Sequence, residues 1–199
     1  RALPWLFIGL IACAAVSLMY LGENPFQRIL GSYVNREFTL PQRVMTEFRV
    51  VAYYFSLMAF PYPARLHLDH DYPLSYSLLH PAATIVALVM IIAVFSIAVY
   101  LAKKHRLISF CLLWCLGNLV IESSVIGIEI IFEHRMYLPS MMLCLMLPLL
   151  VYQRVRSPWP AFGMLVAIAV LLSVWSYQRN AVWQSDVSFW VDNAKKSPL

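Results

Sequence analysis

The chain has 199 residues, of which 61% are hydrophobic and only 13% are charged. A typical soluble domain is about a quarter charged, and the apolar excess of this chain lies in separate runs, several of them long enough to cross a bilayer. The composition therefore predicts an all-α integral membrane protein and excludes an ordinary soluble domain. The net charge of +5 does not indicate nucleic-acid binding, because lysine and arginine collect on the cytoplasmic side of membrane proteins.

Five apolar runs predict a multispanning bundle of transmembrane helices. Two basic clusters, at residues 103–106 and 153–156, are separated by two of these runs, and the positive-inside rule predicts that both clusters are cytoplasmic. The loop 61–80, residues 122–137 and everything after residue 177 should then lie on the far side, which is the periplasm of a bacterium or the lumen of a eukaryote. The runs cover residues 4–20, 81–101, 107–121, 138–152 and 158–177.

The segment 42–60 does not have the pattern of a complete span. It opens with charged side chains, and only residues 50–60 are continuously apolar, which is short for a crossing. We favour a re-entrant or interfacial helix here, and a true crossing is the alternative. Arg43 and Glu47 are four residues apart, so they can pair on one face of that helix.

The last part of the chain changes character. Hydrophobic side chains recur at helical spacing between Trp183 and Ala194, which predicts an amphipathic helix. Asp186 lies near its start and two lysines lie near its end, as the helix dipole favours. We assign residues 1–179 to a transmembrane domain and residues 180–199 to the start of a far-side helical domain.

The loop 61–80 carries a cluster of polar residues that could serve chemistry. Its members are His67, Asp69, His70 and Asp71. Imidazole and carboxylate groups can ligate a divalent metal, for which His67, Asp69 and His70 are weak candidates. The same groups could contact a sugar or act as a base, and the third interpretation is a solvated loop that uses aspartate and proline as turn residues.

A second cluster, Glu133, His134, Arg135 and Tyr137, lies just before the fourth apolar run. Charge beside the bilayer is costly and usually marks a site or an ion pair. Arginine suits bidentate capture of a phosphate, and the phosphate of a lipid-linked donor would lie at this depth. The alternative is an ion pair of Glu133 with Arg135 or Arg49 that only anchors the loop.

Three motifs occur in order along the chain. They are Pro-Tyr-Pro with Leu-Asp-His-Asp-Tyr-Pro-Leu-Ser in residues 61–75, Glu-His-Arg-Met-Tyr-Leu-Pro-Ser at 133–140, and Arg-Asn-Ala-Val-Trp-Gln-Ser at 179–185, followed by Phe-Trp and Lys-Ser-Pro. Together they resemble the C-terminal membrane half of the bacterial tetratricopeptide-repeat membrane proteins. These are related to the transmembrane and TPR-containing O-mannosyltransferases, which have a GT-C-like fold. The resemblance covers most of residues 38–199.

The resemblance implies a function on the far side of a bacterial inner membrane, with the C-terminus in the periplasm. A sugar would pass from a polyprenyl-phosphate donor to a hydroxyl of a protein acceptor. Arg135 and His134 would bind the donor phosphate, and Asp69, His70, Asp71, Glu133 and Tyr137 would line the substrate. The resemblance places the main base, an acidic residue, in the first far-side loop, which would lie upstream of Arg1. The chain lacks an initiator methionine, so we expect it to be a fragment or a processed piece.

The alternative function is that of a non-catalytic membrane anchor that presents a TPR domain to protein partners. Membrane lipid is a partner under either interpretation, and nucleic acid is a partner under neither. The only cofactor that the residues leave open is the divalent metal of the loop 61–80.

Overall fold

The computed structural model describes residues 11, 12, 15, 27, 30–66, 70–125, 127–155 and 157–197. These residues form helices and contain no strand, as the composition predicts. Over the described part of residues 40–197 there are two short 3₁₀ turns, Pro63–Arg65 and Glu133–Met136, and six α-helices. The helices are α1 (Leu40–Ala59), α2 (Ala83–Leu101), α3 (Arg106–Glu122), α4 (Tyr137–Arg154), α5 (Pro158–Val182) and α6 (Asp186–Lys196).

Three of these helices are long and apolar enough to cross a membrane. They are α2, α4 together with the 3₁₀ turn before it, and α5. Helix α3 is also apolar but has only 17 residues. These four helices coincide with the last four predicted runs, while the run 4–20 lies almost wholly outside the described residues. Three spanning helices are therefore supported, and the count of five spans stays a prediction.

The helix ends follow from local chemistry. Gln42 accepts a hydrogen bond from the backbone N–H of Thr39 at 2.8 Å, which satisfies a donor at the start of α1. Pro158 opens α5, where the missing N–H of proline costs nothing. Ser185 caps α6 by accepting from the N–H of Ser188 at 3.1 Å. The amphipathic helix predicted near the C-terminus is thus confirmed as α6.

The core lies between α1, α3 and the segment that precedes α4. Helix α1 contributes the largest share of it, although α1 is not one of the candidate spans. By contrast, only 6% of the most apolar stretch of α5 is buried within the protein. An apolar surface this exposed is typical of a helix that faces lipid. The core side chains are Val50, Val51, Tyr54, Leu57, Cys115, Leu119, Ile131 and Met136.

The predicted pair of Arg43 and Glu47 is confirmed within α1. Arg43 Nη2 lies 2.9 Å from Glu47 Oε1, and the two side chains are 0% and 2% exposed. A buried charge is tolerated when it is paired and hydrogen-bonded. Arg43 is hydrogen-bonded as well as paired, because its guanidinium also donates to the carbonyl of Ser124 at 3.3 Å and to the carbonyl of Ile128.

Helix α1 contacts the same set of loops along its whole length. Near its start, Thr46 Oγ1 accepts from the N–H of Ser75 at 2.8 Å. Near its end, Tyr53 donates to the carbonyl of Arg65 at 2.9 Å. Helix α1 has 20 residues and is about 30 Å long, and the part of it from Thr46 to Tyr53 runs alongside these loops. The interpretation as a re-entrant or interfacial helix, and the alternative of a true crossing, stay predictions.

The two basic clusters lie at one end of the bundle. Residues 105–108 at the start of α3 line one small cavity together with four residues near the end of α4, Met146, Leu149, Leu150 and Gln153. We call residues 102–108 together with 149–155 the basic end. The opposite end, which we call the loop end, comprises residues 61–66, 70–80 and 123–136 with helix α6. The grouping agrees with the predicted topology, while the compartment of each end stays a prediction.

Candidate functional site

Segments far apart in sequence meet at the loop end. His70 Nε2 lies 3.2 Å from Glu133 Oε1, which joins the two polar clusters identified in the sequence. The N–H of Asp71 donates to Ser197 Oγ at 2.9 Å. Lys196 Nζ donates to the carbonyl of Leu66 at 2.8 Å. The 61–80 loop, the segment before α4 and the end of the chain therefore form one surface.

A cavity of about 350 Å³ opens in this surface. Its volume is within the range of about 300–1,000 Å³ found for small-molecule sites, which are mostly apolar with a few polar groups. Its walls have that composition, with four aromatic side chains beside one imidazole and one acidic residue. The lining residues are Phe38, His70, Tyr72, Glu129, Ile130, Ile131, Phe132 and Trp190.

Helix α1 holds one wall of the cavity in position. The hydroxyl of Tyr54 accepts from the N–H of Phe132 at 2.9 Å and donates to the carbonyl of the same residue at 3.2 Å. Arg43 binds the carbonyls of Ser124 and Ile128, earlier in the same segment. Two side chains of one helix thus bind the backbone at residues 124, 128 and 132, in a segment whose described residues lack regular secondary structure.

The imidazole of His70 and the carboxylate of Glu133 are in direct contact at the loop end. The two side chains are 5% and 22% exposed, so the pair is largely withdrawn from water. The ring of Tyr53 packs edge-on against the His70 ring, with 5.7 Å between the ring centroids. A carboxylate and an imidazole in contact can hold or move a proton when a substrate hydroxyl comes within reach.

Arg135 lies beside the cavity rather than in its lining. Its Nη1 donates to the carbonyl of Glu129 at 2.8 Å, and its guanidinium carbon lies 4.8 Å from the centroid of the Phe132 ring. Both of those residues line the cavity. The side chain is partly buried, and the carbonyl and the ring orient its planar group. A guanidinium held in this way can receive an anion with little reorganisation.

The other predicted site residues surround this centre. His134 is exposed, with its ring centroid 5.1 Å from that of Phe132. Tyr137 is 82% exposed at the first residue of α4. The side chain of Asp71 is exposed. His67 and Asp69 lie outside the described residues, so their predicted roles are not addressed.

A metal site stays a prediction. Within the described part of the chain there is no group of three or more histidine, cysteine, aspartate or glutamate side chains that could hold a metal ion. Two of the three weak candidates, His67 and Asp69, are not among those residues, and His70 contacts Glu133.

Several residues of the site were not predicted from the sequence. Arg36 forms an ion pair with Glu129, and neither residue was a candidate from the sequence. Arg49 donates to the carbonyl of Pro73 at 2.9 Å and lies 4.8 Å from the ring centroid of Tyr72. Burial raises the pKa of Tyr72, so its hydroxyl stays protonated at neutral pH.

The C-terminal helix α6 is docked onto the loop end by charge. Asp192 Oδ2 lies 2.7 Å from Arg179 Nη1 of α5 and 2.8 Å from Lys196 Nζ. Burial alone would raise the pKa of Asp192, but hydrogen bonds from Lys196 and Arg179 outweigh it and lower that pKa. Because Trp190 of α6 also lines the cavity, the docking of this helix completes the wall.

The fold and the site define an all-helical protein with a cavity at one end of the bundle. Within the residues that the structure describes, three helices are able to cross a membrane. Comparisons with protein-family models, with curated proteins and with solved structures found no match to this chain. The relation to the TPR-containing O-mannosyltransferases therefore continues to depend on the three sequence motifs.

Proposed function

We propose that this chain is part of a membrane glycosyltransferase that moves a sugar from a polyprenyl-phosphate donor to a protein hydroxyl. The observation that carries the proposal is the meeting of the two polar clusters, through His70 and Glu133, beside one aromatic cavity. A protein that used these loops only as connections would have no need to bring them together around a cavity. The proposal includes the GT-C-like class, the five spans and the periplasmic location expected from the sequence.

The sugar would occupy the cavity. Aromatic rings supply flat apolar walls, and His70 and Glu129 supply polar groups that could fix the orientation of hydroxyls. The volume of about 350 Å³ suits a ligand of the size of a sugar. It is too small to hold the polyprenyl chain in addition to the sugar. The chain of the donor would therefore remain in the lipid, along the exposed apolar helices.

The donor phosphate would bind Arg135. During transfer the acceptor oxygen forms a bond to the anomeric carbon of the sugar, while the bond from that carbon to the phosphate oxygen breaks. Negative charge then develops on the departing polyprenyl phosphate, and a preorganised guanidinium stabilises it. His134 is adjacent and exposed, so it can add a second donor on the open side.

The acceptor proton needs a base. The resemblance assigns this role to a carboxylate of the enzyme, and we do not assign it to a residue described above. The pair of His70 and Glu133 would line the acceptor side and hold the hydroxyl in orientation. Asp69, Asp71 and Tyr137 complete the proposed set of lining residues.

The alternative function, a membrane anchor for a TPR domain, has one observation in its favour. Asp192 and Lys196 fix the direction in which the chain leaves the loop end, as the support of a rigid interaction domain would require. The alternative gives no role to a cavity or to Arg135, so a test of Arg135 separates the two functions.

The experiment is a transfer assay in membranes that contain the complete polypeptide carrying this chain, with a labelled polyprenyl-phosphate sugar and an acceptor peptide. We expect Arg135→Ala to lower the transfer rate about 10²–10³-fold, the range seen when one preorganised donor to a developing oxyanion is removed. Arg135→Lys should retain part of the rate, because it keeps the charge and loses the bidentate geometry. Lys195→Ala removes an exposed cation from α6 and serves as the control. Full transfer by a folded Arg135→Ala variant would refute the phosphate role.

A further inference from the structure

The basic end carries a second cavity, which the proposed transfer reaction does not use. It has a volume of about 150 Å³ and lies between the first turn of α3 and the last turns of α4. Its floor is apolar and its rim is polar. The floor consists of Leu107, Ile108, Met146, Leu149 and Leu150, and the rim consists of His105, Arg106 and Gln153.

In the described part of the chain, the positive charge around the rim has no acidic side chain paired with it. Lys103, Lys104, Arg106 and Arg154 are all exposed at this end. No aspartate or glutamate occurs between residues 84 and 121 or between residues 134 and 185. The ion pairs formed among the described residues all lie away from these four cations. A ligand that bound at this rim would therefore need to bring the negative charge.

We propose that this cavity holds an anionic membrane phospholipid. The phosphate would lie against Arg106 and Gln153, and the upper part of one acyl chain would lie over Met146 and Leu149. A cationic rim above an apolar floor, between two helices at a membrane boundary, has the chemistry of an anionic-lipid site. The positive-inside rule accounts for the cations alone, whereas a lipid accounts for the cations and the apolar cavity together.

A phospholipid is favoured over a soluble phosphate by the composition of the floor. Five of the eight lining side chains are apolar, and a small inorganic anion would leave them exposed to water. An acyl chain would cover them, since its methylene groups match the polarity of this floor. The proposal is independent of the glycosyltransferase function, because it involves the opposite end of the bundle.

The test is native mass spectrometry of the protein purified in detergent and titrated with dioleoyl phosphatidylglycerol or dioleoyl phosphatidylcholine. We expect phosphatidylglycerol to bind at least about tenfold more tightly, since each cation near an anionic headgroup contributes roughly a fivefold change in Kd. Arg106→Gln should weaken the binding of phosphatidylglycerol about fivefold. Lys195→Gln makes the same change of charge at the loop end and should leave the Kd unchanged.

A second variant tests the cavity without altering charge. Leu149→Trp fills the floor, and we expect it to weaken phosphatidylglycerol binding while it keeps the circular dichroism spectrum of the helices. Equal affinity for the two lipids would overturn the proposal, as would wild-type affinity in Arg106→Gln. Competition by glycerol 3-phosphate at the same concentration as the lipid would also overturn it, since the ligand would then be a soluble phosphate.

Discussion

The contact between Tyr54 and Phe132 offers a direct test of how the cavity wall is held. The Tyr54 side chain is 2% exposed, and its hydroxyl makes two hydrogen bonds to the backbone of one residue, at 2.9 and 3.2 Å. Tyr54→Phe removes the hydroxyl and keeps the ring, so the packing of the core is nearly unchanged. Two hydrogen bonds at about 1 kcal/mol each, together with an N–H left without this partner, predict a loss of roughly 2–3 kcal/mol in the free energy of unfolding.

Denaturant unfolding in detergent micelles would measure the loss, and amide hydrogen exchange would locate it at Phe132. Tyr137→Phe is the matched control, because Tyr137 is 82% exposed and should change the free energy of unfolding by less than about 0.5 kcal/mol. If the two variants were equally stable and the exchange at Phe132 were unchanged, α1 would not be the element that holds the wall.

Two further predictions concern charge. Asp192→Asn breaks the contacts with Arg179 and Lys196, and we expect urea unfolding at pH 7 to show a loss of roughly 1–2 kcal/mol. The pKa of Asp192 is lowered in the folded state, so the carboxylate stabilises the fold above the unfolded pKa of about 3.9. This stabilisation is lost as the pH falls through the folded pKa, and the variant and the wild type should therefore become equally stable in acid. A difference in stability that grew in acid would contradict this. Glu47→Leu leaves Arg43 buried without its carboxylate, and the same assay should show a loss of about 3–5 kcal/mol, whereas an unchanged free energy of unfolding would contradict the buried pair.

The positions of the apolar helices could be predicted from the sequence because each depends on a local pattern. The predicted runs begin within two residues of the starts of α2, α3, α4 and α5. The end of α5 is less well predicted, since the apolar pattern stops at residue 177 and the helix continues to Val182. No proline or glycine interrupts residues 164–183, so the helix extends past its apolar part.

The site could be predicted only in part, because some of its contacts depend on local patterns and others join residues far apart in the chain. The pair of Arg43 and Glu47 follows from helical spacing, and it is confirmed. The contact of His70 with Glu133 spans 63 positions in the chain, and no local period can indicate it. The sequence identified both residues as candidates but offered Arg135 or Arg49 as the structural partner of Glu133. The partner in the structure is instead the imidazole of His70, which comes from a distant loop. This contact forms because α1 holds the two segments close together.

The contribution of α6 to the cavity wall was not predicted. An amphipathic stripe indicates that a helix has a buried face, but it does not indicate which part of the protein that face contacts. The stripe predicted a helix with one buried face, and we expected that face to belong to a following domain. In the structure Trp190 lines the cavity and Lys196 binds the carbonyls of Pro63 and Leu66. Whether residues 180–199 also begin a separate domain stays a prediction.

The proposed function requires the loop end to bind a lipid-linked phosphate beside Arg135. Photocrosslinking with a photoreactive polyprenyl-phosphate analogue in membranes, followed by mass spectrometry of the labelled peptides, tests it most directly. We predict labelling of residues 127–137 and 70–76, reduced at least about tenfold in Arg135→Ala and unchanged in Lys195→Ala. Labelling confined to the basic end, or labelling of the loop end that Arg135→Ala leaves undiminished, would contradict the claim.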